Sequence, residues 1–323
     1  LKRLQKLFPE DEELSKEIER FKSNKDELAL LNAMIDRHGP GRVLFRNRRE
    51  RLKGFPERKL FSEFLEGDKK YGRADVDYTR AHPKLKWLEK FLAENKNEKI
   101  LLITSSATQV KQIEQFLIDR VAVKKALFHD EMEMIERDRQ AAWFADPKGA
   151  HVLIASEIGG EGRNFQFCKK IVLFNLPPQP DLVEQRIGRL DRIGQKNNIE
   201  IIVPIIEGSE EELFFILFNE GLGLFTRASA GLGALLEDFQ SDIDLIKAKI
   251  SESSKSLSIK EESKSLLRKL SSRVEDYFEE ESRNFDYLVD FNSFNEKEGS
   301  KLKNNIEDID AHSGLAEYMS RVF

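Results

Sequence analysis

The sequence lacks the features that mark membrane-spanning, disulfide-bonded and zinc-binding proteins. No apolar run among the 323 residues approaches the ~18 needed to cross a bilayer, and the first residues are too charged for a secretory leader. Cys168 is the single cysteine, which excludes an internal disulfide and leads us to expect a reducing compartment, the cytoplasm. None of the five histidines pairs with the cysteine at zinc spacing, so we predict no metal site.

The sequence also lacks a phosphate-binding loop. The motif G-x-x-x-x-G-K-[ST] requires a Gly-Lys pair, and the chain contains none. Residues 127–131, LFHDE, resemble the acidic box that holds magnesium in nucleotidases. Because no phosphate loop precedes them, we do not assign them that role.

The net charge of −5 appears to argue against a polyanionic partner, but its distribution favours one. Residues 42–59 carry eight Lys or Arg against two Glu, whereas residues 231–323 carry 20 acidic and 13 basic residues. The acidic excess therefore lies in the C-terminal part, and a polyanion would meet the local basic clusters. The alternative for the basic segment is a solvated surface loop.

Apolar runs alternate with helical patterns through the middle of the chain. Continuous apolar runs predict buried strands over residues 100–104, 126–128, 152–155, 171–176 and 199–206. Helix signals separate most of them, including a capping box from Ser106 to Gln109. This alternation predicts an α/β fold with a parallel sheet covered by helices on both faces. Ligands of such sheets bind at the carboxyl ends of the strands, where Thr104, Ser105 and Ser156 lie.

Residues 151–195 carry the strongest chemical signal. Glycines follow the strand at 152–155, and glycine lets a backbone approach a ligand closely. After three prolines, Asp181 and Glu184 predict a helix start. At ~100° per residue, an apolar stripe (Val183, Ile187, Leu190) lies opposite a polar face (Gln185, Arg189, Arg192). Such a face is either an ordinary solvated surface or a pair of guanidinium groups placed to bind phosphate.

The motifs SEIGGEGRNFQ and FNLPPQPDLVEQRIGRLDRIGQ support the second interpretation. They resemble motifs five and six of the second lobe of superfamily-two helicases, specifically the Swi/Snf-type double-stranded DNA translocases. The matching residues are Ser156, Gly159, Gly160, Gly162, Asn164, Pro180, Asp181, Leu182, Gln185, Arg189, Arg192, Ile193, Gly194 and Gln195. Eukaryotic remodellers usually have histidine where this chain has Asp191, so the resemblance is to the bacterial, RNA polymerase-associated branch.

The resemblance implies a RecA-like lobe that works with a first lobe. ATP would bind with Mg²⁺ between the lobes, the first lobe holding the metal, while Arg189 and Arg192 act as arginine fingers. Gln185 and the glycine-loop residues Gly160, Glu161 and Gly162 would contact the nucleotide. Thr104, Ser105 and Ser156 would contact the backbone of double-stranded DNA.

We expect three regions. Residues 1–80 would be the end of lobe one and an interlobe linker, helical, with a basic segment whose Arg46, Arg48 and Arg49 face the cleft. Residues 81–227 would form the lobe, and residues 228–323 an acidic helical region. The expected partners are double-stranded DNA and core RNA polymerase, with no membrane contact and a monomeric chain. Two alternatives stay open: a non-enzymatic docking module, and another superfamily-two translocase with a different substrate.

Overall fold

The computed structural model describes residues 7–8, 12–26, 30–31, 34, 55–73, 75–118, 120–157, 165–192, 194–227, 231–253, 258–283 and 296–311. The chain divides into two compact units, residues 53–280 and residues 1–52 with 281–323. The larger unit contains a six-stranded, all-parallel sheet in the order β1-β6-β5-β2-β4-β3. The predicted α/β class is therefore confirmed.

The strands are β1 (Arg58–Leu65), β2 (Ile100–Ile103), β3 (Lys125–Phe128), β4 (Val152–Ala155), β5 (Lys170–Leu173) and β6 (Ile199–Ile206). Five of them match predicted strands, and β2 and β4 are buried along their whole length, as parallel central strands require. β5 ends three residues earlier than predicted. The sequence analysis missed β1, which pairs with β6 from Arg58 opposite Ile199 to Leu65 opposite Ile206.

Helices cover both faces of the sheet. On one face, α2 (Pro83–Glu94) and α3 (Ala107–Ile118) pack against alternate residues of the central strands. On the other face lie α4 (Met134–Ala145), α5 (Pro180–Ile187) and α6 (Glu210–Ile216). The predicted two-sided covering is confirmed.

The helices after the lobe belong to the same core. They are α7 (Leu232–Glu237), α8 (Gln240–Glu252) and α9 (Ile259–Arg283). Their buried residues, among them Leu236, Ile246 and Leu270, join the cluster that contains Val183 and Ile187 of α5. The first part of the predicted acidic helical region therefore packs on the sheet, although the exact boundary near residue 228 stays a prediction.

The smaller unit contains α1 (Glu12–Asn24) and α10 (Glu296–Ala311). Leu14 and Ile18 of α1 pack with Leu30 in a small apolar cluster. The basic residues Arg46, Arg48 and Arg49, and the aromatic positions 285–294, lie outside the described residues.

Most described residues of the connection from β1 to α2 are exposed, and a few contacts hold it in place. Asp68 caps a short 3-10 turn, Lys69–Gly72, by accepting a hydrogen bond from the Lys70 amide at 3.0 Å. Further on, Tyr78 is buried and its amide donates to Gln112 of α3 at 2.8 Å. Among the helices described, none has the length and apolarity that crossing a membrane needs.

Candidate functional site

Helix α5 is held by its apolar face. Val183, Ile187 and Leu190 are fully buried, as the predicted stripe requires. Two details differ from the prediction. The helix begins at Pro180 with Gln179 as its N-cap, so Asp181 lies in the first turn and does not cap it. It ends at Ile187, where the Gly188 amide donates to the Glu184 carbonyl at 2.8 Å.

Residues 188–192, which we call the arginine turn, follow α5 and carry both predicted arginine fingers. Tight backbone hydrogen bonds shape it, including Asp191 amide to Ile187 carbonyl at 3.1 Å. Arg192 and Gln185 are exposed and Arg189 is half-buried, in contrast to the buried apolar stripe. Nε of Arg192 donates to the Gly188 carbonyl at 3.4 Å. The polar face predicted from the sequence is therefore accessible, and its catalytic role stays a prediction.

Arg186 is a buried arginine that the sequence analysis did not single out. Its side chain is 2% exposed, and its Nε donates to both carboxylate oxygens of Glu157 at 3.1 Å. The guanidinium also donates to the carbonyl and, at 3.2 Å, to the side-chain oxygen of Asn175. A signal was available, because Arg186 lies three residues after Val183 and so falls on the buried side of the helix.

Glu157 connects α5 to the glycine loop. It lies two residues after β4 and directly before residues 158–164, which lie outside the described residues. Arg186 thus holds the residue that precedes this loop. The predicted nucleotide contacts Gly160, Glu161 and Gly162 fall in the loop and stay predictions.

Two of the three predicted DNA-contacting residues belong to one hydrogen-bond network at the carboxyl edge of the sheet. The Thr104 hydroxyl is fully buried and donates to Oε1 of Gln109 at 2.7 Å. The Ser105 hydroxyl accepts from Nδ2 of Asn175 at 2.8 Å, and Nδ2 also approaches Oε1 of Gln109 at 3.1 Å. Through Asn175 this network reaches Arg186. The elements proposed for nucleotide and for DNA therefore share a continuous set of hydrogen bonds.

The third predicted contact, Ser156, lies at the same edge. It is buried, and its hydroxyl donates to Oδ1 of Asp130 at 3.2 Å. Glu131, the other acid of the LFHDE stretch, forms an ion pair with Lys111. Within the residues that the structure describes, no group of three or more His, Cys, Asp or Glu side chains is placed to bind a metal.

Two family models match the chain. Residues 83–194 match the helicase conserved C-terminal domain, and residues 198–323 match the RNA polymerase recycling family C-terminal region. The first match ends two residues after the arginine turn, and the second begins one residue before β6.

Two curated proteins illustrate what the chain is similar to. RNA polymerase-associated protein RapA of Haemophilus influenzae is 39% identical over 295 residues, which cover 91% of this chain and 30% of that protein. The RapA of Vibrio parahaemolyticus is 35% identical over 352 residues, covering 94% of this chain and 35% of the relative. The chain thus spans about a third of the length of these curated relatives.

Solved structures give weaker matches. The C-terminal part of the Fun30 ATPase domain matches with a TM-score of 0.41 and 20% identity, covering 55% of this chain and 56% of that one. The Escherichia coli DEAD-box protein SrmB, solved with a regulator of ribonuclease activity, matches with a TM-score of 0.37 and 15% identity, covering 46% and 78%.

Proposed function

Because this chain belongs to the RapA-like group of Swi/Snf-type superfamily-two helicases, we propose that it is the second lobe of an ATP-dependent double-stranded DNA translocase. The lobe would complete an ATP site whose phosphate loop and magnesium-binding acids belong to a first lobe. The observation that carries the proposal is an exposed Arg192 and a half-buried Arg189 on a turn that follows a helix with a buried apolar face. RNA polymerase recycling is the process we propose it serves, with core RNA polymerase as partner.

The side chains of the arginine turn suit a triphosphate. Arginine stays charged and its planar donors match phosphate oxygens, so Arg189 and Arg192 would stabilise the charge that develops on the γ-phosphate during cleavage. Gln185, exposed on the same face, would contact the nucleotide. Magnesium, when bound with ATP, would neutralise phosphate charge from the side of the first lobe.

The carboxyl edge of the sheet would carry the DNA backbone. Ser105 is half-buried and follows β2, so its hydroxyl is the most accessible of the three predicted contacts. Thr104 and Ser156 would each exchange a protein hydrogen bond for one to phosphate. Such contacts position a duplex without reading its sequence.

Substitution of Arg192 in the complete protein tests the arginine assignment. Arg192→Ala should lower the ATP turnover number by about 10³ to 10⁵, because an arginine finger contributes that much to phosphoryl transfer. Arg120→Ala is the matched control: Arg120 is exposed beyond the end of α3 and pairs with Glu89 at 3.6 Å. Near-normal turnover by Arg192→Ala, with an unchanged melting temperature, would show that the role is misassigned.

The chain by itself should not hydrolyse ATP, since its sequence contains no phosphate loop. A turnover assay of the purified 323-residue chain, with and without duplex DNA, checks this. Turnover that co-purifies with the chain and disappears in Arg192→Ala would contradict a site divided between two lobes. Absence of an encoded phosphate loop upstream of Leu1 would instead favour the docking module.

A further inference from the structure

Arg58 is a buried cation at the start of the strand that the sequence analysis missed. It is the first residue of β1, an edge strand, yet its side chain is 2% exposed. A buried guanidinium is costly unless every donor finds an acceptor. Its partners therefore show what the position is built to hold.

Two carboxylates accept hydrogen bonds from the planar guanidinium group of Arg58. Both terminal nitrogens donate to Glu184, at 2.8 and 2.9 Å, and Nε donates to Oδ2 of Asp191 at 2.6 Å. Burial alone would lower the pKa of Arg58, but the two carboxylates outweigh it and raise the pKa above its ordinary value. Arg58 is thus held charged in a two-sided ion pair.

The two acids lie in α5 and in the arginine turn, so both belong to the part of the chain that carries the proposed catalytic arginines. Glu184 lies one helical turn before Gly188, where the arginine turn begins, and Asp191 lies within that turn between Arg189 and Arg192. One rigid fork therefore fixes the distance between the body of α5 and the turn. A lysine offers a single point charge and has no equivalent geometry.

The same guanidinium reaches the segment that leads to the C-terminal helices. One terminal nitrogen also donates to the Leu224 carbonyl at 2.9 Å and the Arg227 carbonyl at 3.3 Å. β1, α5 and the segment after α6 are thus joined at one side chain. This arrangement also accounts for aspartate at position 191, because a neutral imidazole there would not supply the second negative charge.

We propose that Arg58 is a positioning residue for the arginine turn, acting through Glu184 and Asp191 to hold Arg189 and Arg192 in the geometry that ATP cleavage requires. The proposal rests on the function proposed above. If Arg58 only stabilised the fold, the ATP turnover number of its variants would fall only as far as their melting temperature falls. A positioning role makes turnover fall while ATP affinity and folding stay close to normal.

Lys69 supplies a matched control for Arg58. It lies in the connection that follows β1, and its ammonium donates to three backbone carbonyls at the end of α8, those of Ile250, Ser251 (2.9 Å) and Ser253 (2.6 Å). Lys69→Ala should lower the melting temperature about as much as Arg58→Lys does, because it removes the contacts that hold the end of α8. Since these bonds end on residues 250–253, Lys69→Ala should leave turnover unchanged.

The experiment compares Arg58→Lys, Asp191→Asn, Lys69→Ala and Arg192→Ala in the complete protein. ATP turnover number, KM for ATP and melting temperature are measured with saturating duplex DNA. We expect Arg58→Lys and Asp191→Asn to lower the turnover number by about 10- to 100-fold, the scale of a misplaced catalytic group, with KM changed by less than about threefold. Asp191→Asn keeps the shape of the side chain, so it serves as the milder variant should Arg58→Lys fail to fold.

Each outcome decides between the two proposals. Normal turnover in Arg58→Lys and Asp191→Asn, with Arg192→Ala inactive, would overturn the positioning role and leave the proposed function intact. A loss of turnover in Lys69→Ala that matches the loss in Arg58→Lys at equal melting temperature would also overturn it. Near-normal turnover in Arg192→Ala would overturn the proposed function itself, and the positioning role with it.

Discussion

His82 is a buried, neutral histidine at the N-terminus of α2. It is fully buried, and its Nδ1 accepts a hydrogen bond from the Lys84 amide at 3.2 Å. The rings of Tyr71 and Tyr78 pack against it, with centroids 4.8 and 4.7 Å away. Burial, together with the nearby charge of Lys84, lowers the pKa of His82 to about 3. The histidine therefore caps a helix only in its uncharged form.

The lowered pKa of His82 makes the free energy of unfolding depend on pH. Between the ordinary pKa of 6.5 and the folded value of about 3, the unfolded chain binds a proton that the folded chain refuses, so stability falls as pH falls through this window. Between pH 7 and pH 5 the loss should be about 2 kcal/mol. Urea unfolding at the two pH values measures it. His82→Asn keeps an acceptor for the cap and should lose about 2 kcal/mol less; an equal loss in both proteins would contradict this account.

For single residues, the sequence predicts which side of a helix is buried better than it predicts which side chains form ion pairs. The apolar stripe of Val183, Ile187 and Leu190 follows from helical spacing, because burial of such residues needs no specific neighbour. Arg186 and Arg58 are buried only because distant acids receive them, Glu157 at 29 residues' separation and Glu184 at 126. Pairs so far apart in the chain are set by tertiary structure, and no local pattern indicates them.

The Lys84–Glu211 ion pair joins α2 and α6 to β6 and to the segment after β5. Lys84 of α2 and Glu211 of α6 are both buried, with Nζ and Oε1 2.5 Å apart. Glu211 also accepts from the amides of Leu176, after β5, at 3.1 Å and Ile206, in β6, at 3.3 Å. Burial lowers the pKa of Lys84 and raises the pKa of Glu211, so each charge depends on the other. Nothing in the local sequence around Glu211 indicates this contact, because Lys84 lies 127 residues away in the chain.

Lys84→Met should therefore lower the free energy of unfolding by about 3 to 5 kcal/mol, because it leaves the Glu211 carboxylate buried without a counter-charge. Lys84→Met with Glu211→Gln removes the charge and keeps acceptors for the two amides, so its loss should be smaller. Urea denaturation of both variants measures the difference. A single variant within about 1 kcal/mol of the parent would show that water already solvates the pair.

Elements were predictable where one physical signal dominated. The five strands β2 to β6 are mostly apolar, and the sequence predicts all five. β1 was not predicted because it is an edge strand with five of its eight residues exposed. Its sequence, RKLFSEFL, has neither the continuous apolar run of a buried strand nor the apolar-polar alternation of a half-buried one. Helix α5 ends at Ile187, before the arginines, and is therefore shorter than the predicted amphipathic stretch.

On the scale of the whole molecule, the helicase lobe and the first C-terminal helices share one core. Apolar residues of α7, α8 and α9 lie in the same cluster as α5 and α6, although the family models divide the chain between residues 194 and 198. Composition alone predicts that an acidic helical region begins near residue 228. It did not predict shared packing, because charge balance says nothing about which apolar faces meet.

We propose that the arginine turn completes an ATP site formed with a first lobe. The most direct measurement is a structure of the complete protein with duplex DNA, ADP, Mg²⁺ and aluminium fluoride, which imitates the transferred phosphoryl group. We predict that the guanidinium groups of Arg189 and Arg192 both donate hydrogen bonds to the fluorides, with Arg58 still joining Glu184 to Asp191. A closed complex in which other cations contact the fluorides, and both arginines stay on protein groups or solvent, would contradict the claim.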